Sequence, residues 1–240
     1  MWDFKTIVKD FIETKDFQEF INNRFKSDSK LVISKKYFKD FSNGYKYLYI
    51  AASDDEKFYF DETFSSIYED YYDYSIEDMR KTDVVLDIGA NNGGFSLRVA
   101  SKVKHVYAVE PLFTDIAKKN IELNNVNNIT VFDCGLGDGE MELKYGDRTK
   151  KVKCLPLTEI IKQCGGHIDF LKFDCEGGEW SIKPEELQGI RRIEAEIHHL
   201  KDMPHFSEFE DTLKKAGFDY EKEILSKELM LIHASQQPKT

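Results

Sequence analysis

The sequence predicts an α/β fold around a seven-stranded, mostly parallel sheet, and three observations carry that expectation. From residue 84 onward, short β-branched runs alternate with helical stretches, as repeated βα units require. The first run, Val84-Val85-Leu86-Asp87-Ile88, leads into a loop of small residues, Gly89-Ala90-Asn91-Asn92-Gly93-Gly94, and then into a helical pattern. The last two apolar runs stand too close together to enclose a helix, so they form an antiparallel hairpin. Together these describe a Rossmann-like sheet ending in a carboxyl-terminal hairpin.

Strands are predicted over residues 84–88, 105–109, 129–134, 168–173, 192–197, 220–225 and 229–234. Helices are predicted over 94–101, 113–124, 157–163, 184–188 and 206–216, with Gly217 stopping the last. Ahead of them, Phe4, Ile7, Val8, Phe11, Ile12, Phe17, Phe20 and Ile21 fall at helical spacing, broken near Thr14-Lys15-Asp16, which predicts two short amphipathic helices. Residues 30–60 hold apolar clusters separated by Asn43-Gly44 and by Ser53-Asp54-Asp55-Glu56, which suits a small antiparallel hairpin region. The tyrosine-rich run 63–79 reads as helical, its aromatics packing beside a sheet in preference to capping an active site. The expected division is an amino-terminal cap over 1–80, a sheet domain over 81–235 and a frayed polar tail over 236–240.

Composition narrows the function classes. With 41% hydrophobic and 32% charged residues in 240, the chain is an ordinary globular one. A net charge of -10 works against nucleic acid as a partner, because neutralising phosphates normally supplies much of that affinity. Cys134, Cys154, Cys164 and Cys175 make no CxxC pair, so neither a zinc knuckle nor a redox dithiol is signalled and they read as reduced thiols. The first residues carry acids without the apolar stretch of a signal peptide, and no membrane-spanning run follows. A cytoplasmic protein without a membrane partner is the expectation. Asn128-Ile129-Thr130 fits a glycosylation sequon, which carries no weight without secretory context.

The loop after the first strand suits a ligand. Gly89 permits a tight turn, Gly93 and Gly94 let backbone amides approach a bound group, and Asn91 tolerates a left-handed backbone. About twenty residues on, the next strand ends in Val109-Glu110-Pro111, where a carboxylate can accept the hydrogens of both ribose hydroxyls. Asp87, at the mouth of the first strand, would repel a pyrophosphate and favour a sulfonium and an ammonium, which points to S-adenosyl-L-methionine over a nicotinamide or flavin.

Three blocks, VVLDIGANNGGFS, VYAVEP and IDFLKFDCEGGEWSI, resemble the FkbM family of methyltransferases over roughly residues 60–200, the third block being the most specific. The resemblance implies a class I, S-adenosylmethionine-dependent fold and methyl transfer to a hydroxyl of a sugar or other small molecule; it does not imply which acceptor. It also implies that Asp87, Gly89, Ala90, Asn91 and Gly93 form the methionine-binding loop, that Glu110 holds the ribose, and that Pro111 and Leu112 border the adenine. Asp133, Cys134 and Leu136 are placed against the adenine ring, Asp133 at its exocyclic amine and Leu136 on its face. This chain departs from the family pattern at Glu159, where an aspartate is commoner, and at Cys175, where a valine is commoner.

Ligands of open α/β sheets sit beyond the carboxyl ends of the strands, which puts Asp174-Cys175-Glu176-Gly177-Gly178-Glu179 beside the acceptor, with Asp174 also reaching the cofactor. Methyl transfer needs an aligned acceptor and one base, and Asp174 and Glu176 are candidates, one of them alternatively a cap of the next turn. Strand 192–197 puts Glu194, Glu196 and His198 on one face and Ile193, Ala195 and Ile197 on the other; Glu196 and His198 complete a candidate acid–base set or form a structural pair. No compact ligand spacing supports a metal, and none is expected. Lys172, inside a strand, needs an acidic partner or an exit for its ammonium, and the sequence gives it no role. Methylation of nitrogen or RNA, a nicotinamide oxidoreductase and a noncatalytic donor-binding protein stay open as alternatives, as does a homodimer; the absent Asn-Pro-Pro-Tyr motif counts against the first of these.

Overall fold

The computed structural model describes residues 74–145, 148–199 and 203–236, together with three short strands nearer the amino terminus. The chain divides into two compact units, Met1–Thr63 and Phe64–Thr240. In the first unit, β1 (Val32–Ile33), β2 (Phe38–Lys39) and β3 (Lys46–Tyr47) form an antiparallel sheet in that order, where the sequence predicts a hairpin. The predicted amino-terminal helices, most of the tyrosine-rich run and all but Gln236 of the polar tail lie outside the described residues.

The second unit is built on a seven-stranded sheet. Its strands are β4 (Val84–Ile88), β5 (His105–Val109), β6 (Ile129–Phe132), β10 (Phe170–Phe173), β11 (Arg192–His198), β12 (Asp219–Ile224) and β13 (Leu229–Ser235), ordered β12-β13-β11-β10-β4-β5-β6. β13 runs antiparallel between β11 and β12, and the other neighbours are parallel. The crossovers are α1 (Gly94–Ala100), α2 (Thr114–Leu123), α3 (Leu157–Gln163) and α4 (Phe206–Ala216). Gly217 ends α4 in the left-handed conformation (φ 84°), as its position in the sequence suggests.

Alternating side chains send the sheet's two faces to different cores. Leu86, Ile88, Leu171, Phe173, Ile193, Ala195 and Ile197 pack with Leu157 and Ile160 of α3 and Phe209 and Leu213 of α4. Val85, Val106 and Phe170 meet Phe95 and Val99 of α1 and the ring of Tyr74. This second face also carries a transverse row of charge, because the register aligns Asp87 with Lys172, Lys172 with Glu194, and Glu194 with His233.

Three predicted features differ. A second sheet of β7 (Gly135–Leu136), β8 (Gly139–Tyr145) and β9 (Arg148–Leu155), ordered β7-β9-β8, fills a stretch where no strand is predicted beyond residue 134. β7 is only two buried residues, and β8 and β9 are rich in Lys and Glu and bury little beyond Val152 and Cys154, so the sheet lacks a long apolar alternation. The predicted helix at 184–188 is a single 3-10 turn, Pro184–Leu187. The described part of the tyrosine-rich run, 74–79, is bend and turn rather than helix. Tertiary bonds decide that segment: the Ser75 amide donates to the Glu194 carboxylate at 2.9 Å, and the Tyr74 hydroxyl reaches two further acids.

Candidate active site

The loop after β4 is shaped by close backbone approach. Gly89 and Ala90 donate their amides to the Val109 carbonyl at 2.9 and 3.1 Å, which ties the loop to the end of β5. Gly89 has φ 77°, and a Cβ built there would lie 1.7 Å from the Asp174 carbonyl oxygen, so the loop of β4 and the end of β10 touch through backbone. Asn91 (φ 49°) and Gly93 (φ 85°) are also left-handed, the role foreseen for the asparagine. Asn92 closes the turn: its side-chain oxygen accepts from the Gly94 amide at 3.0 Å, and its carbonyl accepts from Asn120 of α2 at 2.7 Å.

Glu110 sits beside that loop, so the two acids at the tips of β4 and β5 do lie on one side of the molecule. Its carboxylate is buried and accepts three backbone amides, from Asn91 at 2.8 Å, Leu112 at 2.6 Å and Phe113 at 2.9 Å. Burial raises its pKa, opposed by the three amides and by Lys172. These bonds take three of about four acceptor positions on a carboxylate, so the expected acceptance of two ribose hydroxyls has to share with the loop that Glu110 organises.

Asp87 has different surroundings from those expected of it. It is fully buried, accepts the Ser96 hydroxyl at 2.6 Å, and lies 3.4 Å from the ammonium of Lys172, itself 1% exposed. Its charge is therefore met inside the sheet by Lys172, and Asp87 is not the exposed carboxylate at the strand mouth that would draw a sulfonium directly. Lys172 thereby gains the acidic partner that its position in β10 requires.

On the adenine side of the expectation, Asp133 accepts from Thr114 at 3.1 Å and from Lys150 of β9 at 2.7 Å, while Lys150 also donates to the Pro111 carbonyl at 2.9 Å. Cys134 and Leu136 are buried at the start of the small sheet, and burial pushes the Cys134 thiol up to about 11, so it stays protonated at neutral pH. Lys150 escaped the sequence reading because nothing local in TKKVK marks one lysine among several.

Beyond β10 and β11 the candidate acids and histidine come together. His198 Nε2 is 3.8 Å from Asp174 and 3.6 Å from Glu176, and its Nδ1 is 3.4 Å from Glu179. The Tyr74 hydroxyl spans Asp174 at 3.3 Å and Glu196 at 3.1 Å. Glu194 stands apart, locked to the His233 ring at 2.6 Å and to Arg192 Nε at 2.7 Å. Glu176 holds a left-handed backbone (φ 54°). The acid that caps the turn is Glu179, fully buried and accepting the Cys175 amide at 2.9 Å, rather than Asp174 or Glu176. Its place one residue after two glycines was the available signal. Tyr74 lies at the far end of the unit's sequence from these strands, and only tertiary structure brings it here.

His198 is a cation in this setting. Burial lowers its pKa, but the bond to Glu179 and the charges of Glu176, Asp174 and Glu179 outweigh that and bring it to about 9. An imidazolium accepts no proton, and in this setting the ring faces three carboxylates that it holds in place. Burial also raises the pKa of Glu176, with His198 opposing and Asp174 and Glu179 adding to the rise. Because the folded pKa of His198 exceeds its ordinary 6.5, its contribution to stability is full below pH 6.5 and disappears as pH rises through about 9. Thermal unfolding followed across that window is expected to show a decline of up to ~3 kcal/mol that His198→Gln flattens.

The strand order, the single antiparallel strand β13 and the glycine loop after the first parallel strand define the class I, Rossmann-like methyltransferase fold. Residues 87–220, more than half of the chain, match the family described as the methyltransferase FkbM domain, and the chain belongs to that family. It is 43% identical over 128 residues to an uncharacterized protein of Methanocaldococcus jannaschii, covering 49% of this chain and 46% of that one. It is 30% identical over 132 residues to an uncharacterized RNA methyltransferase of Streptococcus mutans, covering 51% of this chain and 28% of that one. The match thus spans less than half of the length of either relative. A solved structure similar to this one is Aeropyrum pernix fibrillarin in complex with natively bound S-adenosyl-L-methionine, 11% identical over 87% of this chain and 99% of that one, with a TM-score of 0.49. Among the described residues, no helix is long and apolar enough to cross a membrane and no cluster of His, Cys, Asp and Glu has the arrangement of a metal site.

Proposed function

We propose that the protein is an S-adenosylmethionine-dependent methyltransferase that methylates a hydroxyl on a small, soluble acceptor, without nucleic acid or membrane as partner. The observation that carries this reading is a juxtaposition. The glycine loop of β4 lies in backbone contact with Asp174, so a donor over residues 89–93 would end next to the cluster of Asp174, Glu176, Glu196 and His198. When bound, the donor supplies a methyl carbon already activated by its sulfonium.

The chain's own residues then have two tasks. Glu196 and Asp174, joined through Tyr74, orient the acceptor hydroxyl for in-line attack. Glu176, the most exposed of these acids and one whose pKa is raised, takes the hydroxyl proton as the carbon–oxygen bond forms and the carbon–sulfur bond breaks. The charged His198 keeps the carboxylates from dispersing by mutual repulsion.

Calorimetry with S-adenosylhomocysteine tests the donor half of the reading, and the absence of any binding heat removes it. For the acceptor half, a panel of hydroxylated metabolites is screened for methyl uptake. With an active acceptor, Glu176→Gln is expected to lower kcat by about 10²–10⁴ while leaving S-adenosylhomocysteine affinity intact. Turnover unaltered in both Glu176→Gln and Asp174→Asn rules out a carboxylate base. RNA is a second acceptor to assay, on the strength of the Streptococcus mutans relative; the net charge of -10 and the acid-lined cluster count against it.

A further inference from the structure

Among the described residues, Lys172 is a fully buried cation of the sheet that the reaction outlined above does not use. It lies on β10 directly beside Asp87 of β4, and its ammonium points along the sheet toward the strand ends. There it donates to the Gly89 carbonyl at 3.1 Å, lies 3.4 Å from Asp87 Oδ1 and stands 4.0 Å from Asp174 Oδ2. The rings of Tyr74 and Phe95 close over it, with their centroids 5.2 and 5.9 Å from the nitrogen. An ammonium has three donor hydrogens. Here one hydrogen goes to the carbonyl of the glycine loop, while two carboxylates, one beside its root and one on the first acid of the acceptor cluster, face the charge at ion-pair distance.

We infer that Lys172 is a positioning residue that couples the donor loop to the acceptor cluster, sharing one buried positive charge between the Gly89 carbonyl, Asp87 and Asp174. The inference rests on the methyltransferase reading for the identity of the two sites. A chain of contacts runs from Ser96 through Asp87 and Lys172 to Asp174, and from there through the Tyr74 hydroxyl to Glu196. Tyr74 serves the same coupling twice, since its ring covers the ammonium and its hydroxyl holds the acid that the ammonium faces. In a site shielded from water by two aromatic rings, a charge placed between two acids responds to a change at either one. An acceptor that alters the charge or orientation of Asp174 thereby alters the pull of Lys172 on the Gly89 carbonyl, and a donor that fixes the loop does the reverse; such reciprocity is required of any coupling between two binding equilibria.

The test uses S-adenosylhomocysteine as the probe and needs no acceptor. Lys172→Met alone would leave Asp87 buried without its counter-charge, so the background variant is Lys172→Met with Asp87→Asn, in which both charges of the pair are removed together. Asp174→Asn is then made in the wild-type chain and in that background, and affinity is measured by calorimetry. The inference expects Asp174→Asn to change affinity by about fivefold in the wild type and to leave it nearly unchanged in the background, a coupling of the size seen between contacting charged residues. Equal changes in the two, which direct contact of Asp174 with the probe would give, overturn the inference, as does no change in either. If the double variant fails to fold, Lys172→Gln with Asp87→Asn replaces it: two neutral amides keep polar contacts without the charge, the coupling predicts a reduced effect of Asp174→Asn there, and an undiminished effect overturns it. A wild-type chain that does not bind the probe at all rejects the methyltransferase reading instead, so the two failures are told apart.

Discussion

Gly89→Ala is expected to abolish binding of S-adenosylhomocysteine and to lower the melting temperature by roughly 10 °C, since among the described glycines an added Cβ meets its closest neighbour here. Two independent penalties fall on one atom. A left-handed alanine costs about 1–2 kcal/mol. Its Cβ would also meet the Asp174 carbonyl oxygen at 1.7 Å, a contact with backbone that no side-chain rotation relieves. The loop has to lift away from β10, and that movement breaks the bonds of residues 89 and 90 to Val109 and the bond of Lys172 to the Gly89 carbonyl. Calorimetry and a thermal melt check it together; wild-type affinity in the alanine variant would mean that the loop is not where the donor binds.

Glu110→Gln is expected to weaken S-adenosylhomocysteine binding by about 10–10²-fold with a smaller loss of stability. The substitution keeps the size of the side chain and reverses one acceptor into a donor. Oε1 receives the Leu112 and Phe113 amides and Oε2 receives that of Asn91, so the new amide nitrogen turns toward the single partner and confronts the Asn91 N–H. A buried donor left facing a donor costs about 1–3 kcal/mol, and the donor loop at Asn91 takes that cost directly. Glu110→Ala would also leave the Leu112 and Phe113 amides without this acceptor and is expected to unfold at lower temperature than the glutamine variant. Wild-type affinity in the glutamine variant, with a loss only in the alanine one, would show that Glu110 acts only through the bulk of its side chain.

Much of this architecture is legible in the sequence because it rests on strong local signals. The seven strands of the main sheet fall within a few residues of their predicted spans; in β4, β5, β10, β11 and β13 a largely buried apolar run carries the signal, while β6 is half-buried and β12 mostly exposed. The glycine loop, the left-handed Asn91 and the nearness of Glu110 to the loop are legible for the same reason. The polar sheet of β7, β8 and β9 is not, because its order comes from pairing and from a few buried side chains. Tyr74 and Lys150 reach the site from distant sequence, where nothing nearby announces them. Asp87 and His198 were found at the right places but with other duties: a carboxylate at a strand mouth and a histidine at a strand end look available for ligands until the partners beside them, Lys172 and three acids, are seen.

The charged row across the sheet has a consequence for how the strands find one another. Apolar runs such as VVLDI and FLKF could align in several ways at similar cost, and a slip by one residue turns every side chain to the opposite face. Such a slip between β10 and β4 would drive the ammonium of Lys172 into the layer of Leu86 and Ile88, far from any anion, and would leave Asp87 and Glu194 on the second face without their shared neighbour. Alternating signs on Asp87, Lys172, Glu194 and His233 therefore act as index marks, admitting one alignment of four strands and rejecting the misthreaded ones.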